Sequence, residues 1–358
     1  MQEGGGPSKG KSEGGARARS KSIMNLFASI PRVLTALLQK EKEFGAFVRA
    51  THLGDGPLYF VGSKASFPAC LTGVAAFESL LGVPAMARVE ADFLAYSLDA
   101  LRPRTLVYVI PPVEEAEGMV GAARALRAKG ARLVTIVSGG ENPLAGAADG
   151  VVTFPGGAEA QSSLSSAVAR HAAMVYLALL AARIQNPPQE ERLREEAEFE
   201  KLPEEAERIL LQASDALRVF AEEIKNARRV LVAGGGRFLP VALEAARELE
   251  KATGVEALAQ DVARAIPPRL PPEGRAIVLS CSRCRVREQV QRWAAQVSNS
   301  GGVVLSLTDA ADRGLRECSR AVLLLPAMGE AAASILQLAV VGALAWPAGR
   351  ERLKAAPR

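Results

Sequence analysis

Short, continuous apolar runs alternate along this chain with longer stretches whose apolar positions recur every three or four residues. The runs LYFVG (58–62), TLVYVI (105–110), RLVTIV (132–137) and DGVVTF (149–154) are rich in β-branched residues, as strands covered on both faces require. Helical periodicity is predicted over 26–49, 69–81, 114–129 and 162–184. The same plan returns in the second half, with strands predicted at RVLVAG (229–234), AIVLSC (276–281), GVVLSL (302–307) and RAVLLLP (320–326). Helices are predicted there over 240–253, 287–299 and 331–346. Strand, helix and strand alternating at short spacing predict a parallel sheet with right-handed crossovers.

The two halves share one device. LYFVG leads through SKASFP into ACLTGVAAFESL, and RVLVAGG leads through GRFLP into VALEAAREL. Gly62 stands six residues before Pro68, and Gly234 six before Pro240. The copies lie too far apart for a solenoid and suit a duplicated domain. The expected fold class is therefore α/β, with two tandem three-layer αβα domains, each a parallel sheet flanked by helices. The expected boundaries are a basic leader (1–23), a first domain with a helical lead-in (24–185), a linker and helix (186–225), a second domain (226–346) and a tail (347–358). Small ligands in such folds sit at strand C-terminal ends.

Composition narrows the function classes. Apolar residues make up 49% and charged residues 23% of 358, which is ordinary for a globular protein. The apolar runs at 172–182 and 333–346 fall short of the roughly 20 residues that span a bilayer and read as core helices. No membrane association is expected, and with no secretory signal a cytoplasmic location is the default. The net charge of +5 is concentrated in Lys9, Lys11, Arg17, Arg19 and Lys21, among glycines and serines. No basic folded face with readout elements accompanies them, so no nucleic-acid partner is expected.

Cys281 and Cys284 form a lone CxxC, and the two further ligands that zinc needs do not stand at a paired spacing, so no metal and no cofactor are expected. His52 and His171 are the only histidines, and His171, inside an apolar helical run, reads as a core or interface residue. The stretch QEERLREEAEFEKL, between Asn186 and Pro203, reads as a solvated helix face or linker.

The preface NLFASIPRVL, the segment VGSKASFPACLTGVAAFESLLGVP, the following EADFLAYS, the stretch FEKLPEEAERIL and AGGGRFLPVALEAARELEKATGVEALA together resemble the double sugar isomerase (SIS) family. The likeness covers nearly all of 25–354 and is greatest to the isomerase half of the glucosamine-6-phosphate synthases. It implies a phosphosugar ligand and a homodimer. No glutaminase segment or N-terminal catalytic cysteine is seen, so no use of glutamine is expected.

The resemblance also shows what has changed. Where the family carries an SxSGET-type phosphate loop this chain reads PPVEEA (111–116), whose prolines remove donors and whose Glu114 and Glu115 would repel a dianion. Those glutamates equally suit a helix first turn. In place of a VASTK-like turn stands QSSLSS, where Ser162, Ser163 and Ser165 either meet the ligand or serve as first-turn residues. In the first loop Ser63, Lys64 and Ser66 offer hydroxyls and a cation. Ser280, Ser282 and Arg283, with Arg285 beside them, offer an anion cradle at the end of a second-half strand. Alignment puts Val262 at the family's base glutamate and Ala265 at its ring-opening histidine, and neither residue can move a proton. Glu244 and Asp261 read as surface or helix-capping carboxylates. Lys354 is the counterpart of the family's C-terminal lysine. The expected protein binds a carbohydrate derivative, phosphosugar-like, and is catalytically degenerate or regulatory; a phosphosugar isomerase, aminotransferase-like or deglycase enzyme with substituted residues is the alternative.

Overall fold

The computed structural model describes residues 28–51, 57–110, 117–139, 142–156, 163–212, 214–264, 266, 270–271 and 274–355. Two lead-in helices, α1 (Ala28–Leu38) and α2 (Glu41–Thr51), precede the first sheet. That sheet holds β1 (Leu58–Gly62), β2 (Ala85–Val89), β3 (Leu106–Ile110), β4 (Arg132–Ser138) and β5 (Gly150–Phe154), all parallel, in the order β2-β1-β3-β4-β5. Its helices are α3 (Phe67–Leu81), the single-turn α4 (Glu90–Asp92), α5 (Glu117–Ala128) and α6 (Ser163–Gln185).

Three helices follow, α7 (Glu190–Glu200), α8 (Leu202–Gln212) and α9 (Ser214–Lys225). The second sheet contains β6 (Arg229–Gly234), β7 (Glu256–Asp261), β8 (Gly274–Leu279), β9 (Val303–Asp309) and β10 (Ala321–Leu325), also parallel, with α10 (Phe238–Thr253), α11 (Arg287–Asn299), the short α12 (Arg313–Glu317) and α13 (Glu330–Ala355). Its order, β7-β6-β8-β9-β10, repeats that of the first sheet strand for strand. The duplication read from two loops thus extends to the whole topology.

The strand residues divide by parity, as period two demands. Leu58 and Phe60 enter the large central core, whereas Tyr59 and Val61 pack against Phe93, Met119 and Leu126 on the opposite face. Val230 and Val232 likewise face the central core while Leu231 and Ala233 meet Val290 and Trp293. That central core is continuous through both halves, because α3 and α6 of the first domain pack against α10 and α13 of the second. At Gly342 the two domains come so close that a Cβ would lie 2.1 Å from Leu164.

Both copies of the strand-loop-helix device need their first glycine for one reason. The helix turns straight back over the strand end, so a Cβ on Gly62 would meet Ser66 Oγ at 2.6 Å, and one on Gly234 the Phe238 carbonyl oxygen at 2.6 Å. Pro68 lies in the first turn of α3, where its missing N–H costs nothing. Gly82 and Gly254 then end α3 and α10 with left-handed caps, at φ 70° and 65°.

Several elements differ from the pattern-based expectation. β2 (AMARV) and β7 (EALAQD) are edge strands, and their partial exposure leaves neither a continuous apolar run nor a clean alternation to read. The glutamate-rich stretch is not a simply solvated face. In α7, Arg192, Glu195, Glu196 and Phe199 are buried, because the helix packs against α6, α8 and α13. α6 runs 23 residues and, among the described helices, is long and apolar enough to cross a membrane, yet most of it is enclosed by the protein as a core helix.

Candidate functional site

In a sheet of order 2-1-3-4-5 the chain leaves β1 and β3 in opposite directions, opening a crevice at their C-terminal ends. Each domain has one. In the first, Ser63, Lys64, Ala65 and Ser66 form the loop after β1. Its hydroxyls are largely engaged within the loop: Ser66 Oγ donates to the Ile110 carbonyl at the end of β3 (2.6 Å) and accepts from Ser63 N–H (3.0 Å), while Ser63 Oγ accepts from Ala65 N–H (3.3 Å). Ser63 and Ser66 are buried, and Lys64 is exposed at the rim of an open cleft of about 510 Å³ that Val89, Glu90 and Leu94 also line. Pro111–Ala116, the proposed counterpart of the phosphate loop, and Ser162 lie outside the described residues.

The remaining serines face elsewhere. Ser163 Oγ donates to Glu248 on α10 at 2.9 Å, tying the two domains together, and Ser165 is fully buried. Ala65, between the loop serines, has its carbonyl bonded by two guanidiniums, Arg170 from α6 (3.0 Å) and Arg247 from α10 (2.9 Å). Behind them His171 is sealed in the interface, with Nδ1 2.8 Å from Thr72 Oγ1 and Nε2 3.6 Å from Glu244. Glu244, read from sequence as a surface or capping group, is 1% exposed and also pairs with Arg247. The domain interface, invisible to a one-dimensional pattern, is what buries it.

The second crevice lies between the loop after β6 (Gly235–Arg237), the loop after β8 (Ser280–Val286) and the turn before α13. Ser282, Arg283, Cys284, Arg285 and Arg287 line a shallow pocket of about 360 Å³ there. Ser280 does not join them: it is fully buried, and its carbonyl accepts from Gln337. The pocket's backbone donors are met by the chain's own carboxylates. Ser282 N–H donates to Asp309 (2.7 Å), Arg285 N–H to Glu330 (3.1 Å) and Gly329 N–H to Glu198 (2.7 Å). Arg283 pairs with the same Glu198, and Arg237 with Glu195 at 3.1 Å. Arg285 is the least engaged, 3.8 Å from Glu191 and well exposed. Arg237, Glu195, Glu198 and Asp309 were not singled out from sequence; the spacing of Glu191, Glu195 and Glu198, four and then three residues, was the available signal.

Val262 follows β7 and is buried among Leu231, Ala233 and Val290, close against Gly235, and its side chain carries no group that exchanges a proton. Ala265 lies outside the described residues, and Lys354 stands in α13 where only the backbone is described. Cys281 and Cys284 are buried thiols; burial pushes both up, Cys284 to about 12, so neither is a thiolate near neutral pH. Among the described residues no group of three or more His, Cys, Asp or Glu side chains is arranged to hold a metal.

Residues 56–182, which span the first sheet and its crevice, match the family described as SIS domain. This first α/β domain is a SIS domain. It is 27% identical over 258 residues to a glutamine–fructose-6-phosphate aminotransferase (isomerizing) of Caulobacter vibrioides, covering 70% of this chain and 42% of that protein. To the enzyme of the same name from Thermococcus kodakarensis it is 22% identical over 320 residues, covering 88% and 53%. The SIS-domain chain therefore spans about half the length of the curated relatives it matches, or less. In fold it is similar to the C-terminal domain of glucosamine-fructose-6-phosphate aminotransferase from Francisella tularensis, with a TM-score of 0.77 at 15% identity over 93% of this chain and 96% of that one. It is also similar to tagatose-6-phosphate ketose/aldose isomerase from Escherichia coli, with a TM-score of 0.72 at 15% identity over 93% and 92%. Both domains carry the SIS-type αβα fold.

Proposed function

We propose that this SIS-domain protein binds an anionic carbohydrate derivative, phosphosugar-like, without turning it over. The observation that carries the proposal is the arginine-lined pocket at the second crevice, where Arg283, Arg285 and Arg287 surround Ser282 at the end of β8. Guanidiniums offer a planar fork that matches the oxygens of a phosphoryl group, and a hydroxyl adds a donor. The names of the relatives, which concern fructose 6-phosphate and tagatose 6-phosphate, support a sugar phosphate as the ligand class.

Two further observations favour binding over catalysis. Val262, which the resemblance aligns with the base glutamate, is packed in an apolar cluster. In the first loop, the buried hydroxyls of Ser63 and Ser66 are committed to neighbours within the fold. Aldose–ketose exchange needs a positioned base beside C1 and C2, and a valine at that position cannot serve as one. A homodimer, implied by the resemblance, belongs to the same proposal, and analytical ultracentrifugation tests it.

The deciding measurement is calorimetric titration of the full chain with fructose 6-phosphate, glucosamine 6-phosphate and inorganic phosphate, with an isomerase assay run beside it. The proposal expects heat from at least one sugar phosphate, its loss in Arg285→Ala/Arg287→Ala, and no interconversion. Robust turnover would instead establish the substituted-enzyme alternative.

A further inference from the structure

Three arginines of the second crevice already have counter-ions. Glu191, Glu195 and Glu198 stand on one face of α7, and each pairs with a different arginine of the second domain's loops: Arg285, Arg237 and Arg283 respectively. α7 belongs to neither sheet but to the connection between them. Glu198 Oε2 receives both Arg283 and the Gly329 N–H, immediately before α13. A guanidinium and a backbone donor at a helix N-terminus, converging on one oxygen, are the partners a phosphoryl oxygen would use.

The surroundings are shaped for this insertion. A Cβ on Gly329 would lie 3.1 Å from Glu195 Cγ and 3.2 Å from an Arg283 nitrogen, so the absence of a side chain there lets the carboxylates and the guanidinium close on one point. Arg237 and Glu195 are both nearly buried, and Arg237 is held from behind by Ser79 of α3 at 3.1 Å. The other carboxylates described in this crevice, Asp309, Glu330 and the pocket-lining Glu288, come from the second α/β unit itself, and the first two serve its own turns. Among the described carboxylates of the crevice, the α7 glutamates are the ones that enter from outside it.

We infer that α7 is an internal competitor for the second crevice. Its glutamates hold Arg237 and Arg283 in the absence of ligand, and a phosphate monoester that takes those guanidiniums must displace them and loosen α7. This rests on the functional reading above and deepens it, making ligand capture and the seating of the interdomain helix mutually exclusive. Replacing charged competitors by isosteric amides keeps the acceptor for Gly329 N–H and removes the charge that holds the arginines.

The test titrates fructose 6-phosphate into the full chain and into Glu195→Gln/Glu198→Gln, each first checked for an unaltered circular-dichroism spectrum. The double variant is expected to bind about tenfold tighter or more, a gain of the size one charge-assisted contact supplies, and Arg283→Ala in that background is expected to abolish the gain. Equal, measurable affinity in the two proteins would overturn the competitor role and leave the functional reading intact. Heat from neither would overturn both. Should the double variant misfold, hydrogen exchange in the unaltered chain decides: with fructose 6-phosphate bound, amides of 190–200 exchange faster if α7 is displaced, and unchanged protection overturns the inference.

Discussion

Nε2 of His171 lies 3.6 Å from a carboxylate oxygen of Glu244, joining α6 of the first domain to α10 of the second with both side chains closed off from solvent. Glu244→Ala takes the buried carboxylate from His171 and Arg247 and is expected to cost about 1–3 kcal/mol, read by urea denaturation. A cost below about 1 kcal/mol, the range of an exposed pair, would show that the interface is wet.

The same pair gives stability a pH dependence. Burial holds His171 below its ordinary 6.5, against the opposite pull of Glu244. The unfolded chain takes up that proton near pH 6.5 and the folded one does not, so the contribution is complete above about 6.5 and is lost as pH falls toward the folded value. Glu244 is raised by burial but held below 4.5 overall by His171, Arg247 and Arg170, so its contribution fails only at still lower pH. Melting temperature is expected to be level above about pH 7 and to decline below about 6.5. His171→Gln should remove the decline that begins below about 6.5, and a decline that persists unchanged would assign it to another group.

Gly342 is expected to tolerate no side chain. Leu164 occupies the place of its Cβ where α13 crosses α6, so Gly342→Ala forces that leucine or the helix aside at about 1–3 kcal/mol. Gly121, around which nothing lies within 4 Å of a Cβ, provides the control. Comparable denaturation midpoints for the two alanine variants would contradict the close helix contact.

Ser66 is read as a structural hydroxyl. Ser66→Ala strips a buried bond from the Ile110 carbonyl and another from Ser63 N–H, which predicts a loss of about 1–3 kcal/mol. Sugar-phosphate affinity should stay at the wild-type value. A selective loss of affinity with full stability would return Ser66 to the ligand site.

The buried thiols should be unreactive. At about pH 8 a colorimetric thiol reagent is expected to modify Cys70, Cys281 and Cys284 of the native protein more than about tenfold slower than those of the unfolded chain, since burial raises all three. Rapid native labelling of the CxxC would point to redox chemistry at the second crevice.

Much of the architecture was legible because it is written in local order. The central strands announce themselves as apolar runs covered on both faces, and the glycine and proline of each strand-loop-helix copy report a turn that admits no Cβ. The edge strands β2 and β7 were missed because most of their residues are only partly buried or exposed, and such strands carry no run. Within the candidate sites the sequence identified the loops rather than the roles. Ser63, Ser66 and Ser280 occur where ligand groups were expected, yet two turn into their own loop and the third is buried beneath it.

What the sequence by itself determined is the fold class and its duplication, because these depend on residue type and short-range spacing. Only the tertiary structure decided where the charges go. Glu244 became a buried partner of His171, and three glutamates of a polar helix became the counter-ions of three arginines from another domain. Charge pairing acts across space between segments some forty to ninety residues apart, and no periodicity along the chain records which oppositely charged groups folding will bring together.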